Sequence, residues 1–352
     1  MNARSLKQRE RGLTLIELMV SLAIGSLLIV GAVTVYSQSR NTSRVSDTVA
    51  RLQENARFAF SLMEPDIQLA GYYGYSNRPS SFSFIKGGST GSGIPASGLS
   101  STASPVDLGG SGAPCGTNKN FVVNLVATAE GGQENDKYFG CPPEPEPGGE
   151  VAITAKDGAD SLTVRHASVE RAAPTAKTVQ LIASRLDSGG NYIFSDGTLP
   201  TTIEQKPDMV EIRDLIVRTY YVADQTEHPF RANVPALRVK SLIPGPVFRD
   251  DELISGVEDL QVEYGLAPKI DTDGDGIKDS YSGAAVRYSN KAEVGMQVVS
   301  VRVWLLMRAE QIEPGFVDNH RYKYVDKDVT PGDAYRRVLV SKTIQLRNSR
   351  TM

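Results

Sequence analysis

The stretch Arg11-Gly12-Leu13-Thr14-Leu15-Ile16-Glu17-Leu18-Met19 opens a segment that runs without a further charge to Tyr36, and its reading decides the fold. Ahead of it, Arg4, Lys7, Arg9 and Arg11 stand against Glu10 alone. From Leu13 to Tyr36 the only charged side chain is Glu17. As a helix, at about 1.5 Å per residue, this segment measures about 36 Å, enough to cross a hydrocarbon core of about 30 Å. The basic flank predicts that the N-terminus stays in the cytoplasm and that everything beyond Tyr36 is exported. A cleaved secretory signal has a shorter apolar stretch of about 7 to 15 residues ending in a small-residue site. A plain anchor fits the length but leaves Glu17 without a reason, since an intramembrane carboxylate costs on the order of 2.5 to 3.5 kcal/mol and calls for a partner.

Working outward, the rest of the 352 residues is ordinary globular material, 40% hydrophobic with 32 glycines. Basic and acidic side chains number 38 and 41, a formal charge of -3, so no global field favours nucleic acid, and direct nucleic-acid binding is not expected. Two cysteines and three histidines exclude a zinc ribbon, an iron-sulfur site or several His-based metal centres. Beyond Tyr36 the chain turns polar but keeps a helical period through Val45, Val49, Leu52, Ala56, Phe60, Met63 and Ile67. One helix is therefore predicted from Leu13 to about Leu69, with a kink or an early stop near Glu64 because Pro65 removes a backbone donor.

The prepilin-type pattern supplies what the bare anchor lacks. Arg11-Gly12-Leu13-Thr14-Leu15-Ile16-Glu17 resembles the processing site of type IV prepilins, in which a dedicated peptidase cuts after the glycine on the cytoplasmic face. By that resemblance the cut falls between Gly12 and Leu13, and Glu17 becomes the fifth mature residue. The new amino group, N-methylated in the family, pairs with the glutamate of a neighbouring subunit, and a cation beside a carboxylate favours the charged form of both. Further along, Asn55-Ala56-Arg57-Phe58-Ala59 with Asp66-Ile67-Gln68-Leu69-Ala70-Gly71-Tyr72, then Ile254 to Tyr264, then Val299 to Leu306 are similar to the PilW family of minor pilins and, less closely, to J-type pseudopilins.

The resemblance implies an α+β fold: a long N-terminal transmembrane and stalk helix followed by an antiparallel β-sheet head. The organisation read from it is a leader peptide at 1–12, a transmembrane helix at 13–36, an amphipathic stalk at 37–72, a variable region at 73–206 and a β-rich part at 207–352. Strands are predicted at Asp160 to His166, Val210 to Tyr221, Leu260 to Tyr264, Val298 to Met307 and Val338 to Leu346, where branched and aromatic residues gather. A further strand-like apolar run spans Phe121 to Val126. Residues 87–116 are Gly/Ser-rich with Asp107 the only charge, and read as a mobile surface loop. Within it Gly87-Gly88-Ser89-Thr90-Gly91 matches a hydrolase nucleophile elbow in pattern, without the strand before and helix after that the chemistry needs.

Two features of the variable and C-terminal parts bear on ligands. Cys115 and Cys141 flank a short apolar run, and in an oxidising periplasm two lone cysteines pair; neither has a nearby His or basic cluster to activate it as a thiol. Asp271-Thr272-Asp273-Gly274-Asp275-Gly276-Ile277-Lys278-Asp279 reproduces the first part of an EF-hand loop. Asp271, Asp273, Asp275 and Asp279 supply carboxylates, Ile277 its carbonyl, and Gly276 the turn. Position 12 is Ser282, not Glu, so a structural Ca²⁺ there needs a further carboxylate such as Glu263 or Glu293. The bland alternative is an acidic Asp-Gly turn.

No acid, base or nucleophile converges in sequence, and His166, His228 and His320 stand apart as ordinary surface or strand residues, so an enzyme is not expected. The family resemblance implies a minor pilin: inserted in the inner membrane with its head in the periplasm, cleaved by prepilin peptidase, and carried to the pilus tip and cell surface. Its implied partners are other minor pilins and pseudopilin-like subunits, the major pilin and a tip adhesin, and the roles that follow are filament priming, adhesion and twitching motility. A J-type pseudopilin of type II secretion and a calcium-dependent surface adhesin are the competing readings.

Overall fold

The computed structural model describes residues 14–76, 79–85, 123–132, 154–185, 190–205, 207–228, 233–245, 247–270, 280–281, 283–293 and 296–349. The chain divides after Arg51 into two compact units. A 55-residue helix, α1 (Leu15–Leu69), starts in the first and ends in the second. Thr14 is its N-cap: the Thr14 hydroxyl accepts the Glu17 N–H at 3.3 Å, and the Thr14 carbonyl accepts those of Glu17 and Leu18. Gly71, at φ +79, ends it in the left-handed conformation that closes helices, and donates its N–H to the Arg165 carbonyl at 3.0 Å. Pro65 lies inside the helix and does not stop it. The turn beyond it is held by the head, where Met63, Asp66 and Ile67 are buried, and that burial outweighs the roughly 3 kcal/mol a mid-helix proline costs.

The second unit is built of sheet, and the chain fills one sheet before starting the next. The first contains β1 (Phe82–Phe84), β2 (Ala129–Gly132), β3 (Ser161–Ala167), β4 (Ala176–Ser184), β5 (Asn191–Asp196), β6 (Val210–Ala223), β7 (Ala236–Ile243) and β8 (Val247–Ser255). Its order is β1-β5-β4-β6-β3-β2, with β7 also beside β6 and β8 beside β7; only β1 and β5 run parallel. The 14-residue β6 is the organising strand, pairing β4 through its first half, β7 through its second, and β3 along its other edge. The second sheet contains β9 (Val257–Ile270), β10 (Ser280–Tyr281), β11 (Arg287–Ser289), β12 (Met296–Arg308) and β15 (Arg337–Gln345), in the order β10-β9-β12-β15 with β11 on β9. A hairpin of β13 (Tyr322–Tyr324) and β14 (Lys327–Val329) packs through Tyr322 and Tyr324 onto Leu306 and the edges of Trp304 and Leu339.

One corner joins the two sheets. β8 and β9 are separated by Gly256 alone, at φ +82, whose N–H goes to the Pro235 carbonyl and whose carbonyl accepts from Arg308. Both sheets share one apolar core with the last turns of α1. Leu52, Ala56, Ala59, Phe60, Met63 and Ile67 meet Leu162 and Val164 of β3, Tyr220 and Val222 of β6, and Val262, Tyr264, Val301, Val303 and Leu305 of the second sheet. A second cluster, around Phe82, Leu181, Ile193, Val217 and Tyr221, includes side chains from the alternate residues of β6.

All five predicted strands are present, as β3, β6, β9, β12 and β15, each within a longer element in three cases. The run Phe121 to Val126 is not a strand over its described part. Val123 and Leu125 are buried, but the backbone turns repeatedly there, with Leu125 N–H bonded to the Val123 carbonyl and Ala127 N–H to that of Asn124.

Candidate functional site

The N-terminal part of α1 carries an exposed apolar surface. Leu15, Ile16, Leu22, Leu27, Leu28, Ile29, Val30 and Val35 are all exposed, so apolar side chains face outward around the whole helix; within the first unit this surface is buried by nothing. Val45 and Val49, further along the stripe, are half-exposed, and burial starts at Leu52.

Glu17 sits in the first turn of the helix, exposed, with its carboxylate 3.4 Å from the Thr14 hydroxyl. Thr14 and Glu17 thus stand at the N-cap and N3 positions of a capping box, a role that sequence reading did not assign although the Thr-x-x-Glu spacing carries it. A carboxylate there also faces the positive end of the helix dipole. The capping contact leaves the outer side of the Glu17 carboxylate open to a cation from elsewhere. Gly12 and Leu13 lie outside the described residues.

At the other end of α1, a polar clamp fixes the helix to the first sheet. Asp66, 5% exposed, receives Arg218 Nη1 on both carboxylate oxygens at 2.9 and 2.7 Å and a short hydrogen bond from the Tyr220 hydroxyl. His166 Nε2 lies 3.5 Å from it. Burial alone would raise the Asp66 pKa, but the hydrogen bonds from His166, Tyr220 and Arg218 outweigh it and hold the carboxyl below its ordinary value. Burial and the neighbouring Asp66 carboxylate push the Tyr220 phenol well up. Around this clamp, Lys342 Nζ lies 2.7 Å from Glu64, and the Arg347 N–H donates to the Gln68 carbonyl at 3.1 Å.

His166 is therefore a buried residue of β3, 2% exposed, and not a surface group. His228 donates its backbone N–H to the Thr226 hydroxyl, and the His320 ring stacks edge-on to Tyr322 at 4.7 Å between centroids. Among the described residues no group of three or more His, Cys, Asp or Glu is arranged to hold a metal. Asp271, Asp273, Asp275, Ile277, Asp279 and Ser282 lie outside the described residues, as do Cys115, Cys141 and Ser89. The two carboxylates considered as completing ligands are engaged by cations and an indole. Glu263 accepts Trp304 Nε1 at 2.9 Å with Arg302 Nη1 at 3.4 Å, and Glu293 pairs with Arg287.

An exposed apolar helix with a capped carboxylate in its first turn, continued into a β-sheet head, defines a membrane-anchored, type IV pilin-like protein. Two family models match: the prokaryotic N-terminal methylation motif over residues 7–33, and type IV pilus-assembly protein W, PilW, over residues 219–348. Residues 219–348 are thus similar to the PilW family and residues 7–33 to the methylation motif, and together they support a minor pilin role. Among solved structures, a type IV-like pilin from Thermus thermophilus aligns at 12% identity over 56% of this chain and 83% of that one, with a TM-score of 0.25. No curated protein matches the chain.

Proposed function

We propose that this minor pilin is cleaved by prepilin peptidase between Gly12 and Leu13, joins other minor pilins in priming a type IV pilus, and caps the tip, where it supports adhesion and twitching motility. The observation that carries this reading is the fully exposed apolar surface of α1 from Leu15 to Val35 with Glu17 as its single charge. Such a surface is stable in lipid or in a bundle of like helices and nowhere in water. Moving from the first to the second lets the exposed face of the Glu17 carboxylate meet the amino group of a neighbouring mature chain. The head stays periplasmic until assembly, as the basic flank directs. Other minor pilins, the major pilin and a tip adhesin are the partners this route supplies.

The test is the intact mass of protein extracted from membranes and from sheared filaments. Loss of residues 1–12 plus one methyl group, in protein that co-purifies with the fibres, is the expected result. A chain still beginning at Met1 in filament-producing cells, or one absent from filaments, overturns the reading.

We also propose a structural Ca²⁺ held by Asp271, Asp273, Asp275, Asp279 and the Ile277 carbonyl. Four carboxylates in nine residues repel one another unless a cation joins them, and the alternate spacing suits a hard, many-oxygen ion. Thermal unfolding with Ca²⁺ and with chelator decides it: a melting point that falls on chelation, and does so no longer in Asp273→Ala/Asp275→Ala, supports the site, and identical curves remove it.

A further inference from the structure

The β13–β14 hairpin is attached to the head by side chains. It forms a two-stranded sheet of its own and, among the described residues, shares no ladder with the second sheet. Tyr322 and Tyr324 lie on Leu306, and the rings of Trp304 and Tyr324 are 6.3 Å apart between centroids. The Tyr324 hydroxyl donates to Asp259 at 2.5 Å, and the Tyr322 hydroxyl donates to Asp318 at 3.1 Å. The two-residue turn is Val325-Asp326, and Val325 stands at φ +51. Such turns call for positive φ, which asparagine and glycine adopt and a β-branched side chain resists. The closed hairpin is therefore strained at its tip.

Two buried carboxyls lie beside that tip. Asp259 of β9 also accepts Gln261 Nε2 at 3.2 Å. Asp160 brackets the edge of β9: its N–H donates to the Leu260 carbonyl at 2.8 Å, and its carboxylate accepts the Val262 N–H at 3.0 Å. The tip bears on both acids. Lys327 Nζ stands 3.2 Å from where a Cβ on Gly158 would be, Asp326 and Lys327 act on Asp160 by charge, and Lys327 and Lys156 attract Asp259. Lys156 is shared with Glu258 and Asp224, and Glu258 also faces Arg308 and Arg337. Tyr264, buried with Asp160 and Glu130 for neighbours, has its phenol pushed well up and stays neutral. The arrangement sets Asp160, Asp259 and Asp326 against Lys327 and a shared Lys156.

We propose that the hairpin is a proton-controlled latch: it stays closed while Asp160 keeps its proton and swings out when Asp160 ionises, lifting Tyr322 and Tyr324 from Leu306, Trp304 and Leu339. An ionised Asp160 adds a negative charge beside Asp259 and Asp326 where little water reaches. Opening hydrates both buried acids, takes Asp326 away from them and relaxes Val325. The tip is neutral overall, Asp326 against Lys327, so hydration decides the direction. Burial first, then the charges of Asp259 and Asp326, lifts the Asp160 carboxyl to about 7. In the open form it returns towards its ordinary 3.8, so opening grows as pH rises from about 4 to about 7 and levels off above that. Asp259, its pKa also raised by burial, adds in the same direction.

The experiment uses the full-length protein in detergent, where Trp304, the one tryptophan of the chain, reports on the hairpin packed beside it. Collisional quenching by acrylamide, an uncharged probe, is compared at pH 5 and pH 8. Hydrogen exchange of residues 319–330 and 296–308 is read by mass spectrometry alongside it, corrected for the intrinsic effect of pH. The expected result is a quenching constant about twofold larger at pH 8, with exchange rising across 319–330 and not across 296–308. Asp160→Asn, which keeps the acceptor and cannot ionise, holds the pH 5 behaviour at pH 8. Asp326→Asn, at the exposed tip, lessens the rise and serves as the test if the substitution at 160 disturbs the fold. Unchanged quenching and exchange in the wild type, a rise undiminished in either variant, or exchange rising equally in both segments each overturns the latch. These readouts need neither cleavage after Gly12 nor a filament, so the failure of the latch and that of the pilin assignment are told apart.

Discussion

Glu17 lies in the capping contact with Thr14, and in the proposed assembly it also pairs with a neighbouring amine; substitution separates the two roles. As the N3 residue of a capping box it needs only an acceptor, which glutamine also provides; as the partner of a neighbouring amine it needs a charge. Glu17→Ala and Glu17→Gln are both expected to be processed normally and both to be depleted from sheared filaments relative to membranes. Wild-type incorporation of the glutamine variant would reduce the residue to a cap. Asp66 is a different kind of acid, buried and satisfied. Asp66→Asn leaves Arg218 without its counter-charge and is expected to cost about 2 to 3 kcal/mol, discounted for the partial exposure of Arg218. Because the folded pKa of Asp66 lies below its ordinary value of 3.8, its contribution is complete above that value and disappears as pH falls through the folded one. Denaturant midpoints of wild type and variant should accordingly differ at pH 7 and converge in strong acid. Asp160 runs the other way. Burial lifts its pKa from 3.8 to about 7, although its carboxylate accepts the Val262 N–H at 3.0 Å. Between these values the folded chain holds a proton that the unfolded chain has lost, so stability falls as pH rises from about 4 to about 7. Asp160→Asn keeps the acceptor and cannot ionise; it should gain between about 1 and 4 kcal/mol at pH 8 and nothing at pH 4, measured by urea unfolding.

At the scale of elements, the corner between β8 and β9 depends on one glycine. A Cβ at Gly256 meets the Arg308 carbonyl oxygen at 2.9 Å, on top of the strain of φ +82, whereas one at Gly315, φ +80, meets nothing within 4 Å. Gly315→Ala should cost about 1 kcal/mol from backbone strain alone, and Gly256→Ala about 2 to 3 kcal/mol; equal losses in chemical denaturation would mean that the two sheets yield at their junction. The same elements mark how far the sequence could be read. α1 and the five strands rich in branched residues were legible because their signals are local. β7 and β8 were not, because Arg238 and Lys240 in the one and the Arg-Asp-Asp-Glu run in the other look like solvated surface. In the fold Arg238 and Lys240 are 0% and 1% exposed, with Asp250 and Glu252 of β8 within ion-pair distance. The methylation motif within residues 7–33 was legible for the same reason of locality. The Asp66 clamp was not, since Arg218 lies 152 residues away in sequence; its one local sign was an aspartate placed between Met63 and Ile67 in an otherwise apolar stripe.

For the molecule as a whole, the division after Arg51 does not coincide with the end of the helix. The head's core begins with helix residues: Leu52, Ala56, Ala59, Phe60, Met63 and Ile67 are all below 8% exposed and meet side chains of both sheets. A buried side chain of this size contributes about 1.5 to 3 kcal/mol for the larger ones, so together they exceed the net stability of a typical domain, about 5 to 15 kcal/mol, or come close to it. Where the chain is cut should therefore decide whether the head folds. A fragment of residues 52–352 keeps every buried residue of the stripe, the Asp66 clamp and the Glu64 to Lys342 contact, and is expected to be soluble, to resist protease and to melt cooperatively. A fragment of residues 71–352 retains every described strand but exposes the apolar face against which α1 lay, and is expected to aggregate or to be degraded. Circular dichroism melts and limited proteolysis of the two fragments give the comparison. If the shorter one melted within a few degrees of the longer, the stalk would be an appendage resting on a finished sheet structure, and the shared core described for the helix and both sheets would be wrong.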